Sequence, residues 1–105
     1  MCGFVTQVNG ENDVSQWSLI SGLNEIKHRG PDAANVWLSP NQHVGMGHAR
    51  LSIIDLSTGS QPITDDQTRN CIVVNGEFYD FEKIRYELQR QGYVFKTQSD
   101  SEIAL

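Results

Sequence analysis

Cys2 stands directly behind the initiator in Met1-Cys2-Gly3-Phe4-Val5. Methionine before a small residue is commonly removed, which would leave one residue carrying both a thiol and a free α-amine. In that arrangement the amine can act as the base that activates the sulfur nucleophile. An unperturbed α-amine titrates at about pH 8 and a cysteine at about 8.5, so a modest field poises the pair for proton transfer. Taken alone, the position favours a plainer reading, a small hydrophobe that packs. Four further motifs shift that balance. They are His28-Arg29-Gly30-Pro31-Asp32, Gly47-His48-Ala49-Arg50-Leu51-Ser52-Ile53-Ile54-Asp55, Val74-Asn75-Gly76-Glu77 and Ser99-Asp100-Ser101-Glu102.

Each motif has a plain reading beside a chemical one. Asn75-Gly76 after an apolar run is first of all a hairpin signal, although a turn can also present hydrogen-bond donors. Arg50 heads an apolar stretch, where it is either a solvated charge or a planar, two-pronged clamp for a carboxylate. Asp100 is a first-turn charge favoured by a helix dipole. His28 and Arg29 before Gly30-Pro31 suit the end of a helix with no function attached. His28, His43 and His48 show neither HExxH spacing nor a clustered cysteine partner, so no metal site is expected. Cys71 lies in an apolar run and reads as an inert, buried thiol.

The elements that must carry these residues follow from the hydropathy pattern. Phe4 to Val8 reads as a strand closed by an Asn9-Gly10 turn. Asp13 has the chemistry of an N-cap, with Gln16 three residues on. Trp17, Ile20, Leu23 and Ile26 then recur at helical spacing, predicting a helix of about 12–14 residues that Gly30-Pro31 stops. Asn35 to Leu38 and His43 to His48 read as short strands around Ser39-Pro40-Asn41, and Arg50 to Leu56 as another. A polar loop runs through Asp65-Asp66. Cys71 to Val74 is a continuous apolar run, as expected of a strand buried on both faces. Asp80 to Gln91 predicts a second helix with Phe81, Ile84 and Leu88 on one face and Gly92 as its stop. Tyr93 to Thr97 reads as a last strand. Ser99 and Glu102 make a capping box, and Ile103-Ala104-Leu105 would begin a helix. One helical turn is unstable alone, so the expectation is an N-terminal portion of a longer protein.

The chain has 105 residues, one domain at most. A net charge of −5 with scattered basic residues argues against nucleic acid and anionic membrane surfaces as partners. No apolar run is long enough to span a membrane and no export signal is visible. The two cysteines do not make a disulfide framework, and both are read as reduced thiols in a cytoplasmic protein.

The four motifs, in this order behind an N-terminal Cys-Gly-Phe, resemble the class II glutamine amidotransferases, which use an N-terminal nucleophile. Within that group the chain is most similar to the glutaminase domain of glutamine-dependent asparagine synthetases, from Cys2 to Glu102. Pro31 and the Leu51-Ser52-Ile53-Ile54-Asp55 run favour this branch over those feeding sugar-phosphate or purine pathways. The branch also includes relatives that form amides on other acids. The resemblance implies an α+β fold, the N-terminal part of the αββα four-layer sandwich of N-terminal nucleophile hydrolases.

It also implies residue roles. Cys2 attacks the side-chain amide of L-glutamine, a γ-glutamyl thioester forms, and water releases glutamate. The Asn75 amide and the Gly76 N–H form the oxyanion hole, where each donor is worth about 3–4 kcal/mol in well-studied cases. Arg50 holds the substrate α-carboxylate and Asp100 the α-ammonium, while Leu51, Ile53, Ile54 and Glu77 line the same pocket. The His28–Asp32 motif shapes a loop near the nucleophile without a catalytic role. No metal or organic cofactor is implied in this domain. Ammonia would pass to a C-terminal synthetase domain that uses ATP and magnesium on an acceptor such as aspartate. A homodimer is left open. The rival from another class is a non-catalytic scaffold, which predicts retained Met1 and an unreactive Cys2.

Overall fold

Residues 1–52 and 59–105 are described in a computed structural model of the chain. The elements run β1 (Gly3–Val8), α1 (Gln16–Glu25), β2 (Ala33–Leu38), β3 (Val44–Arg50), β4 (Ile63–Thr64), β5 (Cys71–Ile72), α2 (Phe81–Arg90) and a 3-10 helix over Asp100–Ala104. This is a mixed α+β arrangement with two antiparallel sheets, β1-β3-β2 and β4-β5. Among the described residues no helix is long and apolar enough to cross a membrane.

β3 is the organising strand. It pairs β2 through a hairpin closed by Ser39 N–H to Val44 O at 2.8 Å and Gln42 N–H to Ser39 O at 2.8 Å. On its other edge it pairs β1, with Gly3 opposite Ala49 and Phe4 opposite His48. That register brings Cys2, one residue before β1, to the end of β3 where Arg50 leaves the sheet. Successive β3 side chains point to opposite faces. β-carbons at Gly45 and Gly47 would lie within 2.7 Å of Leu19 and 2.9 Å of Leu23, so these positions face α1. Met46, His48 and Arg50 therefore face the other way. The core between α1 and the sheet contains Val14, Leu19, Leu23 and Ala49. Burying a leucine there contributes about 1.5–3 kcal/mol.

Several sequence expectations are corrected. The cap of α1 is Ser15 rather than Asp13. Val14 is buried and its N–H bonds Gln42 O at 2.7 Å, tying the chain to the β2–β3 turn so that the helix starts beyond it. The buried stripe is Leu19 and Leu23, spaced i,i+4, whereas Trp17 is 77% exposed. The helix is accordingly shorter than expected, and residues 26–29 continue as turns. β5 covers only Cys71–Ile72, and Cys71 to Val74 are half-buried rather than buried on both faces. α2 forms where expected, but Ile84 is exposed and Phe81 and Leu88 only half-buried. Tyr93 to Thr97 is not a strand: the Tyr93 and Phe95 rings lie 4.6 Å apart in a tilted pair, and the Arg85 guanidinium sits over Phe95. Of the strand expected over Arg50–Leu56, Arg50 ends β3, Leu51 and Ser52 are irregular, and the remainder lies outside the described residues.

Candidate active site

The sulfur of Cys2 is anchored to the exit of β3. Leu51 N–H donates to Cys2 Sγ at 3.3 Å, and the thiol faces Leu51 O at 3.7 Å. Arg29 Nε donates to the Cys2 carbonyl at 3.2 Å, so the basic end of the α1 turn has a partner as well as a favourable position. Gly30 lies flat against β3, where a β-carbon would sit 2.3 Å from the Ala49 carbonyl. Only glycine permits that approach. Asp32 then straps the same segment, donating its N–H to Arg50 O at 3.0 Å and accepting Ser52 N–H at 2.7 Å. The His28–Asp32 motif thus fixes the geometry of Cys2 and Arg50–Ser52 through contacts to their backbone groups.

The Asn75-Gly76 segment is not a hairpin turn. Neither residue has the positive φ a type I′ turn demands, and β5 leads into α2 rather than a returning strand. The hairpin of this sheet instead closes upstream, where the Asp65 carboxylate accepts Gln67 N–H at 3.0 Å and the Thr68 hydroxyl at 2.7 Å. Asn75, Gly76 and Glu77 are exposed, and a β-carbon on Gly76 would meet nothing within 4 Å. The base of the segment is held by two buried side chains. Gln61 accepts Val74 N–H at 2.6 Å, and His48 Nε2 donates to Val74 O at 3.3 Å. A carbonyl only accepts, so Nε2 carries the proton and neutral His48 has a bare Nδ1. That atom is buried and without a partner among the described residues, an arrangement that costs about 1–3 kcal/mol. Burial pushes the His48 pKa below its ordinary value and the nearby Arg50 charge adds to this, against the opposing bond to Val74.

The third wall is the turn before the 3-10 helix. Arg85 donates to Thr97 O at 2.9 Å and Ser99 O at 3.0 Å. The Ser99 side chain accepts Ser101 N–H at 3.2 Å. Glu102, 2% exposed, does not complete the expected capping box. Its carboxylate reaches further back, accepting Lys96 N–H at 2.8 Å, Thr97 N–H at 2.7 Å and the Thr97 hydroxyl at 2.5 Å. Asp100 is thereby presented at the head of the 3-10 helix, where Oδ2 accepts Phe78 N–H at 2.8 Å and ties this turn to the Asn75–Glu77 segment.

These walls enclose a cleft of about 260 Å³. Cys2, Arg50, Leu51, Asn75, Gly76, Glu77 and Asp100 all line it. Ile53 and Ile54 lie outside the described residues. Gly59, at φ 90°, approaches both sides: a β-carbon there would be 3.5 Å from Arg50 Nη2 and 3.9 Å from Ser99 Cβ. The cleft thus sets a guanidinium and carboxylates around a half-buried thiol, a layout suited to a small zwitterion with a reactive tail. Sequence reasoning missed His48, Gln61, Ser99 and Ser101 as lining residues. His48 was within reach, lying two residues before Arg50 on one strand face, whereas Gln61 carries no local signal.

Comparison with known proteins identifies the family of the chain. Residues 1–105 match the sequence profile of the glutamine amidotransferase domain. The chain belongs to that family. It is 41% identical over 109 residues to asparagine synthetase [glutamine-hydrolyzing] 1 of Bacillus subtilis, covering all of this chain and 17% of the relative. It is 39% identical over 80 residues to asparagine synthetase B [glutamine-hydrolyzing] of Escherichia coli, covering 76% of this chain and 14% of that protein. To amidase chry2 of Gibberella zeae it is 44% identical over 117 residues, again covering 100% of this chain and 17% of the relative. The amidotransferase chain thus spans about 17% of the length of the relatives it matches most fully.

Proposed function

We propose that this chain hydrolyses L-glutamine to glutamate and ammonia through a γ-glutamyl thioester on Cys2. The observation that carries the reading is the convergence of Cys2, Arg50, Asn75, Gly76 and Asp100 on one cleft from segments far apart in sequence. Met1 is 76% exposed at the rim, open to trimming. Its removal turns Cys2 into a nucleophile with its own base. The α-amine takes the thiol proton as Sγ attacks the side-chain amide carbon, and returns it to the departing ammonia. Arg50 pairs the substrate α-carboxylate and Asp100 the α-ammonium, so the amide is directed at the sulfur. The Asn75 amide and Gly76 N–H meet the oxygen on which negative charge develops. Water then cleaves the thioester and frees glutamate.

The αββα sandwich of N-terminal nucleophile hydrolases is the fold this reading requires. The helix-on-sheet layer of α1, and the bond from the opposite face of β3 to the segment after β5, support it. In the protein as a whole we assign the ammonia to ATP- and magnesium-dependent asparagine synthesis from aspartate by a C-terminal synthetase domain in the cytoplasm. The names of the bacterial relatives, and the small share of their length that this chain covers, support the asparagine-synthesis part of that assignment. No residue of this chain is assigned to ATP or magnesium. A second reading, service in amide chemistry other than asparagine synthesis, is favoured by the similarity to amidase chry2.

The test is glutamate release from glutamine beside Cys2→Ala, with intact mass recording the N-terminus. Release that disappears in Cys2→Ala supports the reading. A folded, trimmed protein that releases none overturns it. Aspartate as the acceptor separates the first reading from the second.

A further inference from the structure

We propose that His48 and Gln61 are positioning residues that grip the Val74 peptide from both sides and thereby aim the Asn75 and Gly76 donors at the reacting carbonyl. The proposal deepens the glutaminase reading and rests on it. The β4–β5 ladder ends at the Ile63–Ile72 pair, so the ladder itself does not hold Val74. Side chains take over that task. Gln61 Oε1 accepts Val74 N–H at 2.6 Å and His48 Nε2 donates to Val74 O at 3.3 Å. Both are buried, at 8% and 1% exposure, beneath residues that are themselves exposed.

The peptide plane explains why this grip matters. The Val74 carbonyl and the Asn75 N–H share one rigid unit, so holding the carbonyl also orients the start of the donor segment. Holding the Val74 N–H as well restrains both soft dihedrals of Val74, leaving Asn75 and Gly76 on a fixed base. The anchor is also common to both halves of the chemistry. His48 stands on β3, the strand that leads into Leu51, whose N–H contacts Cys2 Sγ. One strand therefore sets the separation between nucleophile and oxyanion donors. Small displacements at such a site are expensive in rate.

The experiment measures kcat and KM for glutamine with the full chain as encoded. His48→Phe keeps a ring without a donor, and His48→Gln restores an N–H at comparable reach. Gln61→Met keeps the length without an acceptor. Outright loss of an oxyanion donor costs about 10²–10³ in kcat, so misplacing donors should cost about ten- to a hundredfold in His48→Phe and Gln61→Met. KM should stay within about threefold, and His48→Gln should recover to within about fivefold of the parent kcat. Parental kcat in His48→Phe, no recovery in His48→Gln, or a loss carried by KM would each overturn the proposal. If circular dichroism shows His48→Phe unfolded, Gln61→Met decides. Failure of the glutaminase reading looks different, because the parent itself then releases no glutamate. In that case amide exchange at Val74 and Asn75 is the readout: faster in His48→Phe and Gln61→Met but not in His48→Gln supports the grip, and unchanged exchange overturns it.

Discussion

Glu102→Gln changes no shape and removes one charge, which makes it the sharpest probe of how Asp100 is presented. The carboxylate is 2% exposed and receives Lys96 N–H, Thr97 N–H and the Thr97 hydroxyl at 2.8, 2.7 and 2.5 Å. All three partners donate. The Thr97 oxygen already accepts Ser99 N–H at 3.1 Å, which leaves its proton directed at Glu102. A glutamine amide has one acceptor oxygen, so either orientation sets its NH₂ against a donor. The better orientation keeps the two Thr97 bonds and loses the one to Lys96. A hydrogen bond to a charged group contributes about 1.5–3 kcal/mol, and the retained bonds weaken when the charge goes. Relief of carboxylate desolvation offsets part of this, giving a local loss of about 2–4 kcal/mol.

Amide exchange of Lys96 and Thr97 reads that loss directly. Exchange should accelerate by about 30- to 1,000-fold, while amides of β1 and β3 change little. Loosening of the turn should also raise KM for glutamine by about tenfold with a smaller change in kcat, since Asp100 is assigned to substrate binding rather than to the oxyanion. Exchange at Lys96 and Thr97 within about twofold of the parent would refute the claim that this carboxylate organises the turn.

Gly30→Ala would drive a β-carbon to 2.3 Å from the Ala49 carbonyl and 2.5 Å from Arg50 N. Backbone cannot swing aside as a side chain can, so a loss of about 3 kcal/mol or more is expected in urea denaturation, with altered labelling of Cys2. His48 is held neutral below its ordinary 6.5 by burial. The unfolded chain therefore binds a proton that the folded chain refuses as pH falls below about 6.5. This contribution to stability is complete above that pH and declines as pH drops toward the folded value, and the thermal midpoint should fall less in His48→Gln. Burial pushes the Cys71 thiol up to about 11. At about pH 8 roughly one in a thousand Cys71 thiols is then ionised, and mass spectrometry after brief alkylation should find Cys2 modified and Cys71 spared.

What the sequence made legible follows from how local each signal is. β1 and the β2–β3 hairpin are read from alternation and turn residues spaced a few positions apart, and both formed with boundaries shifted by one or two residues. The face of α1 was misread because Trp17 satisfies a helical period as well as Leu19 does. Only the sheet beneath, with glycines at 45 and 47 admitting Leu19 and Leu23, decides which stripe is buried. Tyr93 to Thr97 has the composition of a strand, yet Arg85 and Glu102 claim the Thr97 backbone and no ladder forms. Glu102 matched a capping box by spacing, but the backbone donors at Lys96 and Thr97 outcompete the single donor a box supplies. Cys2, Arg50, Leu51, Asn75, Gly76, Glu77 and Asp100 are nameable from motifs, whereas Gln61 is not. That they share a cleft depends on strand register, which no window of sequence contains.

The same register explains how a site of this kind tolerates being assembled from distant segments. Sequence continuity does not hold the walls together: Arg50 ends β3, Asn75 follows β5 and Asp100 lies beyond α2. The tethers instead run from other side chains to backbone groups, as in Arg29 to Cys2 O, Asp32 to Ser52 N–H, Gln61 and His48 to Val74, and Glu102 to Lys96 and Thr97. A backbone group offers its donor or acceptor whatever side chain it bears. The tethers therefore fix position without dictating the side chain of the residue they hold. Asp100 combines both tasks, because Oδ2 accepts Phe78 N–H while Oδ1, which also accepts the Ser101 hydroxyl at 3.4 Å, would face a cationic group in the cleft. Its substitution should then disturb substrate binding and the donor segment together, whereas loss of the His48 or Gln61 tether should act on turnover with binding largely preserved.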